Sequence, residues 1–234
     1  MKKRLLALGL AFVLCLGALP EALASGQPFT NKDQALDLAV DSLMDAVFAA
    51  EYANDQGGYM VRWASPLRVF AGGEYTQQDL DTLNSFINEL SNRVIWLPDI
   101  SMVYDVSQSN VTFAFAPLND MAGFDMPGYV EGDWGAFSYW FEDNLINRAV
   151  IAIASDVTEQ EDRNYLIKMK LVNILGLTNR IAGPKDSILY EEWTGSQDLS
   201  QVDWLTLNLL YEPWLSPGIG AQEAFSFLSR ESLQ

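Results

Sequence analysis

Met169 and Asn173 stand four residues apart in a run that reads as a helix. Lys170 follows the first, Gly176 lies three residues beyond the second, and Asn179 three beyond that. On a helix, positions i and i+4 share one face. Two histidines at that spacing can grip one zinc ion while a glutamate between them polarises a water. A glycine then turns the chain so that a third ligand returns to the metal. Here the spacing is present and the ligands are not. A thioether, two amides and an ammonium are poor zinc donors, and the lysine charge repels a cation. Zinc is therefore not expected as a cofactor. The same letters also fit a plain core helix (Met169, Leu171, Val172, Leu175, Leu177) that ends at Gly176.

Composition narrows the chemistry further. The chain of 234 residues contains no histidine. Without imidazole there is no Ser-His-Asp or Cys-His nucleophile and no His-ligated zinc. Chemistry by two carboxylates stays open. There are 31 acidic residues against 14 basic ones, so nucleic acid and anionic membrane surfaces are not expected partners. The acidity suits a protein dissolved outside the cell, or one that attracts a cationic partner or calcium.

The first residues read as an export leader. Lys2, Lys3 and Arg4 precede an apolar run over 5–19, and Ala22-Leu23-Ala24 offers a small-x-small cleavage site before Ser25. The expectation is a signal peptide over 1–24, removed on export, and one domain over 25–234, secreted or periplasmic. The apolar run is too short for a membrane span, and none is expected in the mature chain. Leu14 before Cys15 is too large for a lipoprotein site. Without Lys2, Lys3, Arg4 and Glu21, 11 basic and 30 acidic residues remain. The lone Cys15 leaves with the leader, so the core alone must hold the domain.

The elements that would position the 169–179 frame follow from periodicity. Helices are expected over 31–52 (capped by Thr30 or Asn31), 76–93 (capped by Thr76 with Asp79), 159–177, 199–211 and 220–228. A turn is expected over 54–58. Strands are expected over 59–71, bulged or at an edge because of Pro66. Others are expected over 94–97, over 101–106 paired with 110–117, and over 137–141 as an edge and 149–154 as a buried strand. The stretch 119–135 reads as a long loop of the kind that often carries function. The order implies an α+β or mixed-sheet domain with helices on one face.

Beyond the helix, Ser187-Ile188-Leu189-Tyr190 follows Gly176 by eleven residues, then Leu199-Ser200-x-x-Asp203 and Leu210-Tyr211-x-Pro213. Over 165–213 this resembles the metzincin metalloproteases. They carry H-E-x-x-H-x-x-G-x-x-H, then a Met-turn of the type Ser-Ile-Met-x-Tyr. In that frame Met169, Asn173 and Asn179 occupy the ligand positions, Lys170 the catalytic glutamate position, and Ser187 to Tyr190 the Met-turn. The chain is also similar to the secreted bacterial domain-of-unknown-function family 2927 (DUF2927). That likeness rests on Arg62-Trp63 with Pro66-Leu67-Arg68-Val69, on Leu175-Gly176-Leu177-Thr178-Asn179, on Asp186-Ser187-Ile188-Leu189-Tyr190, and on Tyr211, Pro213, Leu215 and Pro217-Gly218. Where that family has Glu-Glu and Gln, this chain has Met169, Lys170 and Asn173.

The resemblance implies a zincin-like mixed sheet with a long central helix, a Met-turn-like loop and a C-terminal helix. The implied function is that of a secreted, non-catalytic pseudopeptidase holding a peptide or another polymer, such as a polysaccharide, in a vestigial cleft. Two other readings stay open. One is a glycan-directed hydrolase using carboxylates alone, with Asp186, Glu191 and Glu192 nearest the frame and a surplus of tryptophan. The other is a divergent peptidase with a metal, such as calcium, held by acids. Lys170 could meet a ligand carboxylate or an internal acid, Tyr190 a substrate or the core, and Arg68 the cleft or solvent.

Overall fold

A computed structural model describes residues 32–49, 58–124, 126, 127 and 129–231. The expected leader, the Thr30/Asn31 cap and the turn at 54–57 lie outside these residues. The described elements, in order, are helix α1 (Lys32–Phe48), strands β1 (Arg62–Trp63) and β2 (Leu67–Gly73), helix α2 (Gln77–Arg93) and strand β3 (Ile100–Met102). Next come β4 (Val111–Ala116), β5 (Gly135–Glu142) and β6 (Leu145–Ala154). Helices α3 (Gln160–Ile174), α4 (Gln201–Tyr211) and α5 (Ala221–Glu231) complete the domain.

The six strands form one mixed sheet in the order β1-β6-β4-β2-β3, with β5 added antiparallel to β6. Every pair along that order is parallel. The central strands β4 and β6 are buried on both faces over 113–116 and 151–154. This is why they read as near-continuous apolar runs rather than alternating ones. On one face Val69, Val111, Phe113, Phe115, Ile151 and Ile153 join the main core with side chains of all five helices.

Several elements depart from the sequence expectation. The strand expected over 59–71 is two strands broken around Pro66, whose missing N–H ends the ladder. β1 lies beside β6, and β2 lies between β3 and β4. The segments near 101–106 and 110–117 do not pair with each other. Both pair with β2, on opposite sides. Alternation specifies which side chains point inward, not which strand is the neighbour. The strand expected over 94–97 is the end of α2 and a turn: the Val94 amide donates to Leu90 O at 2.9 Å.

The stretch 119–135 is partly a cover. Its 3-10 segment Leu118–Phe124 lies over the other face of the sheet, where Met121 and Met126 pack on Ala114, Ala136 and Ala152. Three small residues in register across three strands leave a shallow hollow that the two methionines fill. The β5–β6 hairpin turns through Asp143 and Asn144, both at positive φ (50° and 63°). That is the backbone of the tight two-residue hairpin turn, and Asn and Asp tolerate it well.

Candidate functional site

Helix α3 is buried almost all round, from Arg163 to Ile174, as befits a helix enclosed by the rest of the domain. Its start is fastened by charge. Arg163 Nε meets Asp79 Oδ1 at 3.1 Å, with both side chains nearly excluded from solvent. The same carboxylate accepts from Gln160 Nε2 at 2.7 Å and, within the α2 capping box, from the Thr76 amide at 2.7 Å. Arg163 also donates to Thr158 O and Gln160 Oε1. The pair therefore has the surrounding hydrogen bonds that a buried ion pair needs.

The far end of α3 is fastened by neutral groups. The last carbonyls of a helix have no partner within it. Here Trp63 Nε1 donates to Ile174 O at 2.8 Å and the Tyr211 hydroxyl to Leu175 O at 2.9 Å. Burial pushes the Tyr211 phenol well above its ordinary value. Gly176 turns the chain at φ 122°, and a Cβ there would lie 2.6 Å from Val61 O. No other residue fits that turn without moving β1 and its approach.

Asn173 and Asn179 serve this end as well. Asn173 Nδ2 donates to Leu177 O at 2.8 Å. The Asn179 amide and its Nδ2 both donate to Ala46 O, at 2.9 and 3.0 Å, capping the last turn of α1. Met169 is 2% exposed and belongs to the main core. Of the five cleft positions expected from sequence, Met169, Asn173, Gly176 and Asn179 are thus occupied in holding the fold. Lys170 alone of the five is only partly buried.

The turn at 187–190 is held from below. Ser187 Oγ donates to Asp203 Oδ1 at 2.5 Å, and the Ile188 and Ser200 amides donate to Asp203 Oδ2 at 3.0 and 2.8 Å. Asp203 also completes the capping box of α4 with Ser200. One carboxylate therefore joins the turn to the next helix, and the two short motifs seen in sequence are a single device. Burial raises the Asp203 pKa, opposed by its four hydrogen bonds from Ser187, Ile188 and Ser200. Leu189 is buried, and so is Tyr190, whose carbonyl accepts from Arg180 at 3.1 Å. Above the turn, the Tyr165 hydroxyl donates to Ile188 O at 3.2 Å.

Lys170 points from α3 toward β5. Its Nζ lies 5.4 Å from the Phe137 ring centroid, and its Cε runs beside Gly135. Burial, and then the Arg180 charge, lower its pKa to about 8, with Asp133 acting the other way. Among the described residues neither Lys170 nor Arg180 has a carboxylate within 4.0 Å. Around them lie aromatic groups. Trp193 packs on Tyr165 at 4.6 Å and meets Trp134 edge-on at 6.1 Å. Phe137, Tyr139 and Phe141 run along β5 in contact with one another. The Tyr139 phenol bonds the Thr178 hydroxyl, and burial raises its pKa.

Sequence reasoning missed Arg180 and Asp133, and it noted a surplus of tryptophan without placing Trp134 or Trp193. The only available signal for Arg180 was its position directly after Asn179. Asp186, Glu191 and Glu192 are exposed, and Arg68 lies on the solvent side of β2. Among the described residues no three acids lie close enough together to hold a metal ion. None of their helices is long and apolar enough to cross a membrane.

No curated protein matches the chain. One solved structure it is similar to is that of myroilysin, at 13% identity and a TM-score of 0.43, over 66% of this chain and 98% of that one. The family model described as "Protein of unknown function (DUF2927)" matches residues 38–230. By that match, which spans most of its length, the chain belongs to the DUF2927 family.

Proposed function

We propose that this chain is a secreted or periplasmic pseudopeptidase, exported by a leader over 1–24 that is then removed. It binds an extended peptide along β5, beside α3, and does not cleave it. The observation that carries this reading is the use of the metzincin-like frame. The three ligand positions hold Met169, in the core, and Asn173 and Asn179, committed to backbone carbonyls. The glutamate position holds a lysine. A thioether and two amides are poor zinc donors, and the glutamate position holds no carboxylate to polarise a metal-bound water; no zinc cofactor is needed for what remains.

What remains suits binding. Among the described strands β5 pairs with β6 alone, and a strand at the rim of a sheet is where extended peptides add through main-chain hydrogen bonds. Nucleic acid does not fit the charge. A glycan hydrolase using carboxylates alone finds less support, because Asp186, Glu191 and Glu192 face solvent.

The test uses the purified protein without a histidine tag, which would supply the imidazoles that the chain lacks. It is incubated with a quenched fluorescent peptide pool, with and without added zinc, while hydrogen exchange of the β5 amides is followed. The expected result is no cleavage in either case and slower exchange over 135–142. Zinc-dependent cleavage would overturn the reading.

A further inference from the structure

Residues 58 and 59, the turn at 218–220 and helix α5 border an open groove of about 820 Å3, within the usual range for a small-ligand site. The groove shares no residue with the face between α3 and β5. Its walls are fixed by main-chain bonds. Gly218 N donates to Met60 O at 2.8 Å and Met60 N to Ile219 O at 3.0 Å. Tyr59 forms an antiparallel bridge with Gly220. Ala224 N donates to Gly220 O at 2.9 Å, which joins this pairing to the first turn of α5. Little ordering is therefore left to a ligand.

The lining combines two kinds of group. Tyr59 and Phe227 supply aromatic surface, 56% and 37% exposed. Trp214 packs on Phe227 with ring centroids 6.5 Å apart, which steadies that ring. Gln222, Glu223 and Ser226 supply an amide, a carboxylate and a hydroxyl from neighbouring turns of α5. Ser226 Oγ donates to Gln222 O at 2.9 Å, so it meets a ligand as an acceptor. Of the residues that line the groove, Glu223 alone is charged.

That combination selects among ligands. A wholly apolar ligand would leave the amide and carboxylate without partners. An anion is repelled by Glu223 and by a chain with 31 acidic and 14 basic residues. A cation would meet a single exposed carboxylate, which water screens. A sugar ring satisfies both kinds of group: its C–H face lies on an aromatic ring, and its hydroxyls donate and accept around the rim. We propose that this groove binds a short uncharged oligosaccharide, stacked on Tyr59 and Phe227 and hydrogen-bonded to Gln222, Glu223 and Ser226. Its open form suits a segment of a longer glycan chain. The site is separate from the one proposed along β5 and does not depend on it. The protein then holds a glycan at one place and a peptide at another.

The experiment is isothermal titration calorimetry of the purified protein with cellopentaose, N-acetylchitopentaose, xylopentaose and maltopentaose, and with oligogalacturonate as an acidic arm. At least one neutral sugar is expected to bind, and oligogalacturonate is not. Tyr59→Ala should weaken binding about tenfold. At Gly220 a Cβ would meet only the edge of the Tyr59 ring, at 3.9 Å, and φ is not in the left-handed region. Gly220→Leu therefore places a side chain in the groove without backbone strain, and should abolish binding. Phe225→Ala removes an exposed ring of α5 that does not line the groove, and should leave binding unchanged. Binding of none of the four neutral sugars overturns the proposal and leaves the peptide reading standing. Binding that survives both Tyr59→Ala and Gly220→Leu puts the sugar elsewhere and overturns the groove. Equal binding of oligogalacturonate overturns the uncharged ligand. Displacement of the sugar by a pool of N-acetylated hexapeptides makes the groove a peptide site and overturns the glycan. Circular dichroism of each variant confirms that it is folded before its binding is compared.

Discussion

Arg163 and Lys170 stand two turns apart on α3 and live under opposite electrostatic conditions. Arg163 is 9% exposed and has a carboxylate, a carbonyl and an amide oxygen arranged around it. Its partner Asp79 is itself held by Thr76 and Gln160. Lys170 has an aromatic ring, an unlike charge at a distance and a like charge in Arg180. The first arrangement specifies where α3 sits against α2. The second destabilises the folded protein, since charge is held away from water without a counter-ion. The packing of the core does not need a group of that kind.

The largest expected effect lies at the paired end. Asp79→Ala leaves the Arg163 guanidinium buried without its counter-charge and should lower stability by about 3–5 kcal/mol, measured by urea denaturation. A loss below about 1 kcal/mol would mean that Arg163 finds water instead, and the contrast with Lys170 would collapse. Next comes Asp203→Ala. It strips the acceptor from the Ile188 and Ser200 amides and from Ser187, and should cost about 3 kcal/mol. Faster hydrogen exchange at Ile188 would show that this carboxylate holds the turn beneath the site.

The smallest effect has the opposite sign. Lys170→Met should stabilise the protein by about 2 kcal/mol near neutral pH. The sign follows from linkage. The folded pKa of about 8 lies below the ordinary lysine value of 10.5. Between them the unfolded chain binds more protons, so the wild type gains stability as pH rises through that interval. The advantage of Lys170→Met should therefore be full below about pH 8 and shrink toward zero by about pH 10.5, as followed by melting temperatures. A melting temperature that falls on substitution would show that Lys170 is a structural residue after all.

Much of the frame was legible beforehand, for identifiable reasons. Thr76 with Asp79 and Ser200 with Asp203 are local signals, because a capping box is closed within four residues. Helix α3 and strand β6 announced themselves by apolar content and length. What was not legible were the destinations of polar side chains. Asn179 reads as a former ligand position in sequence and is a cap on α1 in the fold. Asp203 reads as a helix start and is also the anchor of a turn sixteen residues away. Lys170 was read as open to either an ion pair or a ligand, and only the packing of β5 across α3 removed the internal acid.

The amino-acid sequence by itself determined the excluded chemistry and the local elements. With no histidine and no ligand at 169, 173 or 179, imidazole catalysis and His-bound zinc are ruled out by composition, which folding cannot alter. Caps, apolar periods and the Gly176 turn act over a few residues and so are written locally. Tertiary structure alone decided which strands are neighbours and which charges have partners. Those depend on contacts between residues far apart in the chain, such as Asp79 with Arg163 and β5 with Lys170, and no local pattern encodes them.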